Sequence, residues 1–330
     1  MRIFSGIQPT GRKHLGNYVG AIVQWVAEQD EALYCLVDLH ALTVPYEPEG
    51  LRESVYETAA TLLASGIDPE RCIFFRQGDV QEHTELTWLL SGVTGYGPLT
   101  RMTQFKDKTA TLGRDLVSAG LFFYPVLMAA DVLAYRAREV PVGDDQRQHV
   151  ELMRDVAERF NARFGETLVV PEAVIPEIGA RIMDLQFPDR KMSTTGGSPQ
   201  GTVYVLDPPE AVARKVRSAV TDSGTEVRRA SDKAGISNLI DIFAAVRGVR
   251  PEEVEREFDG SGYGAFKEAV ADAVVEYLTP VRERYASLRG DEAALERILE
   301  QGAEKARAIA SDTVADVRQA MGVGPVRRGQ

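Results

Sequence analysis

The apolar positions of the chain change period block by block. A short apolar run at residues 2–6 predicts a strand, and "NYVGAIVQWVAEQ" follows with Val19, Ile22, Val23 and Val26 at helical spacing. "ALYCLVDLHAL" reads as a buried strand, "GLRESVYETAATLLASG" as a helix and "CIFFRQ" as another strand. This alternation predicts an α/β fold with a doubly wound parallel sheet. Sheets of this kind bind ligands beyond the carboxyl ends of their strands, and "IQPTGRKHLG" falls there.

The rhythm changes near residue 95. "GYGPLTRMTQFKDKTA" is polar and rich in turn formers, and "SAGLFFYPVLMAADVLAY" is a strongly apolar helical or interface segment. "EVPVG" predicts one more buried strand, leading into "DDQRQHVELMRDVAERF", a helix with Val150, Met153, Ala157 and Phe160 on one face. "RKMSTTGGSPQG" is a loop by composition. Beyond about residue 208 the pattern is mostly helical, ending in a long amphipathic helix that carries Leu295, Leu299, Ala306, Ala310, Val314 and Val317 on one side.

Composition narrows the class. A chain of 330 residues with 44% hydrophobic content can bury a full core, as two domains or one elaborated one. Its longest apolar runs carry Pro125 and Asp131 and are too short to span a bilayer. "MRIFSGIQ" lacks the apolar stretch of a secretory signal, so a cytoplasmic location is expected, and the two cysteines, Cys35 and Cys72, read as buried reduced thiols. A net charge of −11 argues against bulk attraction to nucleic acid. Local basic clusters remain at Arg214, Lys215 and Arg217 and at Arg228, Arg229 and Lys233, although solvated helix faces also produce such clusters.

Several signatures are absent: G-x-x-x-x-G-K-[ST], G-x-G-x-x-G after the first strand, and H-E-x-x-H. The four histidines and two cysteines lack the spacing of a structural zinc site. What remains is "PTGRKHLGN" at a strand-to-helix turn. There a helix N-terminus, Gly16, His14 and Asn17 could together meet a triphosphate, though a turn with one histidine can be only a turn. Far downstream, "RKMSTTGG" describes a cationic loop able to close over phosphates, or an exposed connection.

Taken together, "PTGRKHLGN" and "KMSTT" resemble the HIGH and KMSKS signatures of class I aminoacyl-tRNA synthetases. The stretches "SGIQPTGRKHLGNYVGAI", "VDLHALTVP", "RMTQFKDK", "YPVLMAADVLAY", "VPVGDDQRQHVELMRDVAERFN", "GARIMDL", "SAVTDSGTEVR", "GISNLI" and "GAEKARAIA" resemble the bacterial tryptophanyl-tRNA synthetase family, in register along nearly the whole chain.

The resemblance implies a Rossmann-like core that joins tryptophan to tRNA through an aminoacyl adenylate, with ATP as substrate and magnesium arriving on it. His14, Lys191, Lys106 and Lys108 would be the catalytic groups. ATP would contact Gln8, Pro9, Thr10, Gly16, Asn17, Gly143, Asp144, Asp145, Ile182, Lys191, Met192, Ser193, Thr194 and Thr195. Asp131 would accept the indole N–H, Tyr124 and Gln146 would hold the α-ammonium, and Phe4, Gly6, His40, Met128, Val140 and Val142 would form the walls. Read alone, Asp131 could equally sit on a solvated helix face.

Thr194 and Thr195 depart from the family spelling, which has lysine and serine there, so one cationic contact to pyrophosphate is missing or replaced. The implied organisation is a catalytic core at 1–100 and 180–207, and an insertion at 101–179 that builds the amino-acid pocket and a homodimer interface. A helical anticodon-binding part would follow at 208–290, with a helix at 291–330 packing back on the core. The rivals are a tyrosyl-tRNA synthetase and a non-catalytic relative that binds tryptophan or tRNA.

Overall fold

The computed structural model describes residues 3–106, 117–143, 146–174, 181–193 and 197–324. A five-stranded, fully parallel sheet in the order β3-β2-β1-β4-β5 forms its centre, from β1 (Ile3–Ile7), β2 (Ala32–Leu36), β3 (Ile73–Arg76), β4 (Glu139–Pro141) and β5 (Glu172–Val174). The inner strand β2 is buried along its whole length, as a strand covered on both faces must be. The edge strand β5 is exposed throughout, so its sequence carries no burial pattern to read.

The apolar interior divides by face of the sheet. Ala32, Tyr34 and Leu36 of β2 and Phe74 of β3 point into one cluster, while Leu33, Cys35 and Phe75 point into the other. This is the period-two alternation of strands. Both cysteines are buried thiols.

The first face is covered by α1 (Leu15–Asn17), a π-helical turn at Tyr18–Ile22, α2 (Val23–Ala27) and, after the short α3 (Asp38–Ala41), by α4 (Pro48–Ser65). Proline at the start of α4 and Gly66 at φ 114° after it mark its ends. The π turn explains one departure from the sequence pattern. An extra residue in the turn shifts the phase of everything after it, so Ile22 is buried but Val23 is 38% exposed. Likewise "ALYCLVDLHAL" is not one strand: β2 stops at Leu36, and α3 carries His40 instead.

The second face is covered by α5 (Glu82–Ser91), α6 (Tyr96–Thr100), α7 (Ala119–Leu133) and α8 (Arg147–Phe164). The helices α9 (Pro209–Arg217), α10 (Ala234–Arg247), α11 (Pro251–Glu257) and α12 (Gly262–Arg289) pack into the first cluster. The last helix, α13 (Glu292–Met321), serves both. Leu299 enters the first cluster, and Ala303, Ala306, Ala310, Val314 and Val317 enter the second. Where α13 crosses the edge strand, a Cβ on Gly302 would lie 1.8 Å from the Phe74 carbonyl oxygen, so no larger residue fits. Glu296 pins the same crossing through Arg76 at 2.7 Å and the Tyr56 hydroxyl at 2.9 Å.

Candidate active site

The turn after β1 is organised by its own basic pair. Gly11 adopts φ 66°, a left-handed conformation suited to glycine. Lys13 folds back so that its Nζ donates to the carbonyls of Gln8 and Thr10 at 3.0 and 3.3 Å. Arg12 donates to Asp207 at 3.0 Å and lies over the Tyr204 ring. The segment is also stitched to 203–205, with Leu15 N donating to Val203 O and Val205 N to Lys13 O.

His14 caps the helix that follows. Its Nδ1 accepts from Asn17 N at 3.2 Å, and its own N–H donates to Asn17 Oδ1 at 3.2 Å. That commits Nδ1 as an acceptor, so the neutral ring carries its proton on Nε2. Burial, then the charges of Lys191 and Lys13, push the His14 pKa down to about 4. The two segments meet in space at Gly16, whose Cβ position lies 3.6 Å from Ile182 in the stretch paired with Lys191 and Met192. The Cβ position of Gly16 faces the His14 ring at 3.1 Å and Ile182 at 3.6 Å, so this glycine lets the ring and the facing segment pack.

The second segment is a tight antiparallel pair. Met183 bridges Lys191, and Met192 N donates to Ile182 O at 3.1 Å. Buried Asp184 accepts from the backbone N–H groups of Gln186, Phe187 and Ser198, tying the segment to the chain beyond the lysine loop. Gly201 is obligatory beside it, because a Cβ there would stand 1.7 Å from Asp184 Oδ1. Asn238, from α10, grips Met183 from behind, accepting its N–H at 2.8 Å and donating to its carbonyl at 3.0 Å.

A cavity of about 400 Å³ opens at the carboxyl ends of β1 and β4. Asp131, Tyr124, Gln146, Phe4, Gly6, His40, Met128, Val140 and Val142 all line it, as do Gln8 and Gly143. Asp131 is 1% exposed. His40 Nε2 lies 2.7 Å from its Oδ2, while Gln77 Nε2 and His83 Nδ1 each lie 2.6 Å from Oδ1. Burial raises the pKa of this carboxyl, but the hydrogen bonds from His40 and His83 outweigh it and hold the group well below the usual carboxylate range. Tyr124 donates to or accepts from His149 Nε2 at 2.7 Å, and burial pushes its hydroxyl up to about 12. The buried Ser5 hydroxyl, which has no hydrogen-bond partner among the described residues, also lines the cavity.

The remaining expected residues divide. Pro9 is buried and Thr10 exposed in the first turn, and Ser193 lies at the start of the lysine loop, where its carbonyl accepts from Thr202 Oγ1. Lys106 is exposed, two residues after the cavity-lining Gln104. Lys108, Asp144, Asp145, Thr194 and Thr195 lie outside the described residues. Gln77, His83, Tyr135, Asp184 and Asn238 were not among the residues singled out from the sequence. The partners of Gln77, His83, Tyr135 and Asn238 are distant in the chain, and no local spacing marks any of the five.

The basic clusters are largely neutralised within the fold. Lys215 is buried, with Nζ 2.7 Å from both Asp207 Oδ2 and Thr202 O. Arg217 faces Glu268, Arg228 faces Glu226, Arg229 faces Asp241, and Lys233 contacts Asp222 and Tyr263, while Arg214 stays exposed.

Residues 1–279 match the family tRNA synthetases class I (W and Y). Over 330 residues the chain is 51% identical to tryptophan–tRNA ligase 2 of Streptomyces avermitilis, covering 99% of this chain and 98% of that one. Among solved structures it is similar to tryptophanyl-tRNA synthetase from Mycoplasma pneumoniae, with a TM-score of 0.86, 34% identity and 98% of each chain covered. It is also similar to the Campylobacter jejuni tryptophanyl-tRNA synthetase complexed with ADP and tryptophan, with a TM-score of 0.83, 35% identity, and 98% of this chain and 100% of that one covered.

Proposed function

The chain belongs to the class I tRNA synthetases of the W and Y group, and from that membership we infer that its reaction is that of a tryptophan–tRNA ligase. ATP activates L-tryptophan to tryptophanyl-adenylate with release of pyrophosphate, and the aminoacyl group then passes to the 3′-terminal ribose of tRNA. The observation that carries this reading is the adjacency of two sites at the end of β1. One is a cavity holding the buried Asp131 carboxyl among His40, Gln77 and His83, and the other is the His14 turn, packed through Gly16 against the segment that carries Lys191.

We propose that the indole enters between Phe4, Met128, Val140 and Val142 and donates its N–H to Asp131. The α-ammonium, which can only donate, is met by Tyr124 and Gln146. Tyr124 then directs its own proton to His149 Nε2 and accepts from the ammonium. A carboxylate oxygen of tryptophan attacks the α-phosphorus in line, the new P–O bond forms as the bond to pyrophosphate breaks, and charge builds on the leaving group. His14 Nε2–H and the Lys191 ammonium are the groups proposed to meet that charge, with Lys106 and Lys108 as further cations. Ile182 and Met192 offer buried, paired backbone for adenine. Magnesium is proposed to come with the nucleotide, neutralising phosphate charge.

Anticodon recognition is proposed for 208–290, where Arg214 is an exposed cation. A homodimer is supported by Trp88 and Tyr96, each 75% exposed, on the helices flanking α7. No described helix is long and apolar enough to cross a membrane, and a cytoplasmic setting accords with work on tRNA.

The test is ATP–pyrophosphate exchange run with each of the twenty amino acids. Tryptophan should support exchange, and tyrosine should do so at least about a thousandfold less well, because a buried acceptor left without its partner penalises the wrong ligand. Comparable turnover with tyrosine overturns the reading.

A further inference from the structure

Only one oxygen of Asp131 is explained by the cavity. Oδ2 shares the wall with His40, which lines the cavity itself. Oδ1 is occupied from behind by Gln77 and His83, both 0% exposed and neither in contact with the cavity. Behind His83, the Tyr135 hydroxyl meets Nε2, and Tyr135 is itself fully buried. An ionised carboxylate has about four lone-pair positions and no donor, so both histidines must donate to it. His83 therefore carries its proton on Nδ1, and its Nε2 accepts a hydrogen bond from the Tyr135 hydroxyl, whose proton burial holds on the phenol.

Among the described residues, three of the four acceptor positions are filled, two on Oδ1 and one on Oδ2. The remaining one belongs to the oxygen at the cavity wall. We propose that Gln77 and His83 are positioning residues for indole recognition, saturating the rear oxygen of Asp131 so that a single acceptor position faces the cavity. The proposal rests on the reading of Asp131 as the indole partner.

Two physical effects follow from losing either rear donor. The carboxylate gains freedom to rotate, so its open lone pair no longer has one direction. It also loses a hydrogen bond that opposes desolvation, and a carboxyl that takes up a proton presents a donor to a donor. Both effects penalise a ligand bearing an N–H and spare one without it.

The experiment compares tryptophan with its benzothiophene analogue, in which sulfur replaces the ring N–H, in ATP–pyrophosphate exchange by the full chain. The wild type should prefer tryptophan in kcat/KM, and Asp131→Ala should erase that preference. Gln77→Met, close in volume, and His83→Phe should each cut the preference by about tenfold or more. Turnover of the analogue should change by less than about threefold and the KM for ATP should stay within about twofold. His83→Gln, which restores an N–H donor, should recover most of the preference. Equal losses on both substrates, or a full preference in Gln77→Met and His83→Phe while Asp131→Ala loses it, overturns the proposal. A preference that survives Asp131→Ala overturns the underlying reading instead. Should His83→Phe fail to fold, Gln77→Met decides alone.

Discussion

On the cavity side, the polar groups are side chains locked by other side chains. Asp131 sits inside α7 and is held by His40 from α3, by Gln77 after β3 and by His83 from α5. On the turn side, the groups are held by backbone. His14 is fixed by the amide of Asn17, Lys13 by two carbonyls of its own turn, and the lysine segment by its bridge to Met183 and the grip of Asn238. In the proposed function the cavity rejects close relatives of one ligand, and rejection requires groups already in place before binding. The turn in that proposal admits a nucleotide and releases pyrophosphate, a task served by cations on loops that can adjust to changing charge. The carboxyl end of the sheet would then carry selectivity and reactivity on separate supports.

The largest expected effect tests the turn side. Lys191→Ala should lower the single-turnover rate of adenylate formation by about a hundredfold or more, the scale of a cation lost from a site of developing charge, while tryptophan binding changes little. A comparable loss of tryptophan affinity would break the separation. Asp131→Ala should do the reverse, costing about 2 to 3 kcal/mol in kcat/KM for tryptophan and leaving the KM for ATP nearly unchanged, with circular dichroism confirming the fold. Unchanged tryptophan activation in a folded variant would return this residue to a structural role.

A smaller effect is expected from Gly201→Ala. The added methyl displaces Asp184 and so disturbs the root of the lysine segment. It should cost about 1 to 3 kcal/mol of stability in urea unfolding and raise the KM for ATP without altering that for tryptophan. If both constants rise together, the supports are not independent.

The smallest effect is in pH. The folded-state pKa of His14 is depressed to about 4 from 6.5, so the unfolded chain binds more protons between those values. His14 therefore subtracts stability as pH falls through that window and is silent above it. The stability difference between wild type and His14→Asn should be flat above about pH 7 and shift in favour of the variant toward pH 4 to 5. A stability difference that stays flat from pH 7 down to pH 4 would mean that the ring titrates as if exposed.

Much of this arrangement could be read from the chain, for reasons that differ by residue. Val150, Met153, Ala157 and Phe160 are all buried on α8 because a helix over a sheet has one invariant face. The cavity lining was legible only as a set, through family spelling, because Phe4, His40 and Val142 come from three separate elements. Gln77 and His83 lie in "RQGDVQEH", a stretch with no period, and their meaning depends on contacts 54 and 48 residues away. Lys215 shows the opposite failure. A charge in a basic cluster predicts solvent, yet Asp207 and the Thr202 carbonyl draw it inside.

The crossing of α13 over β3 bears on how the molecule is made. Ala303, Ala306, Ala310, Val314 and Val317 complete the second apolar cluster, and Gly302 closes the sheet edge against Phe74. A ribosome delivers these residues after every other element described. Until they emerge, the nascent chain carries an open strand edge and an incomplete apolar cluster, the features that invite misassembly. A message cut short before this helix thus yields no smaller version of the fold, only a chain whose second cluster, shared by Phe4, Val132 and Val140 of the cavity wall, stays unfinished.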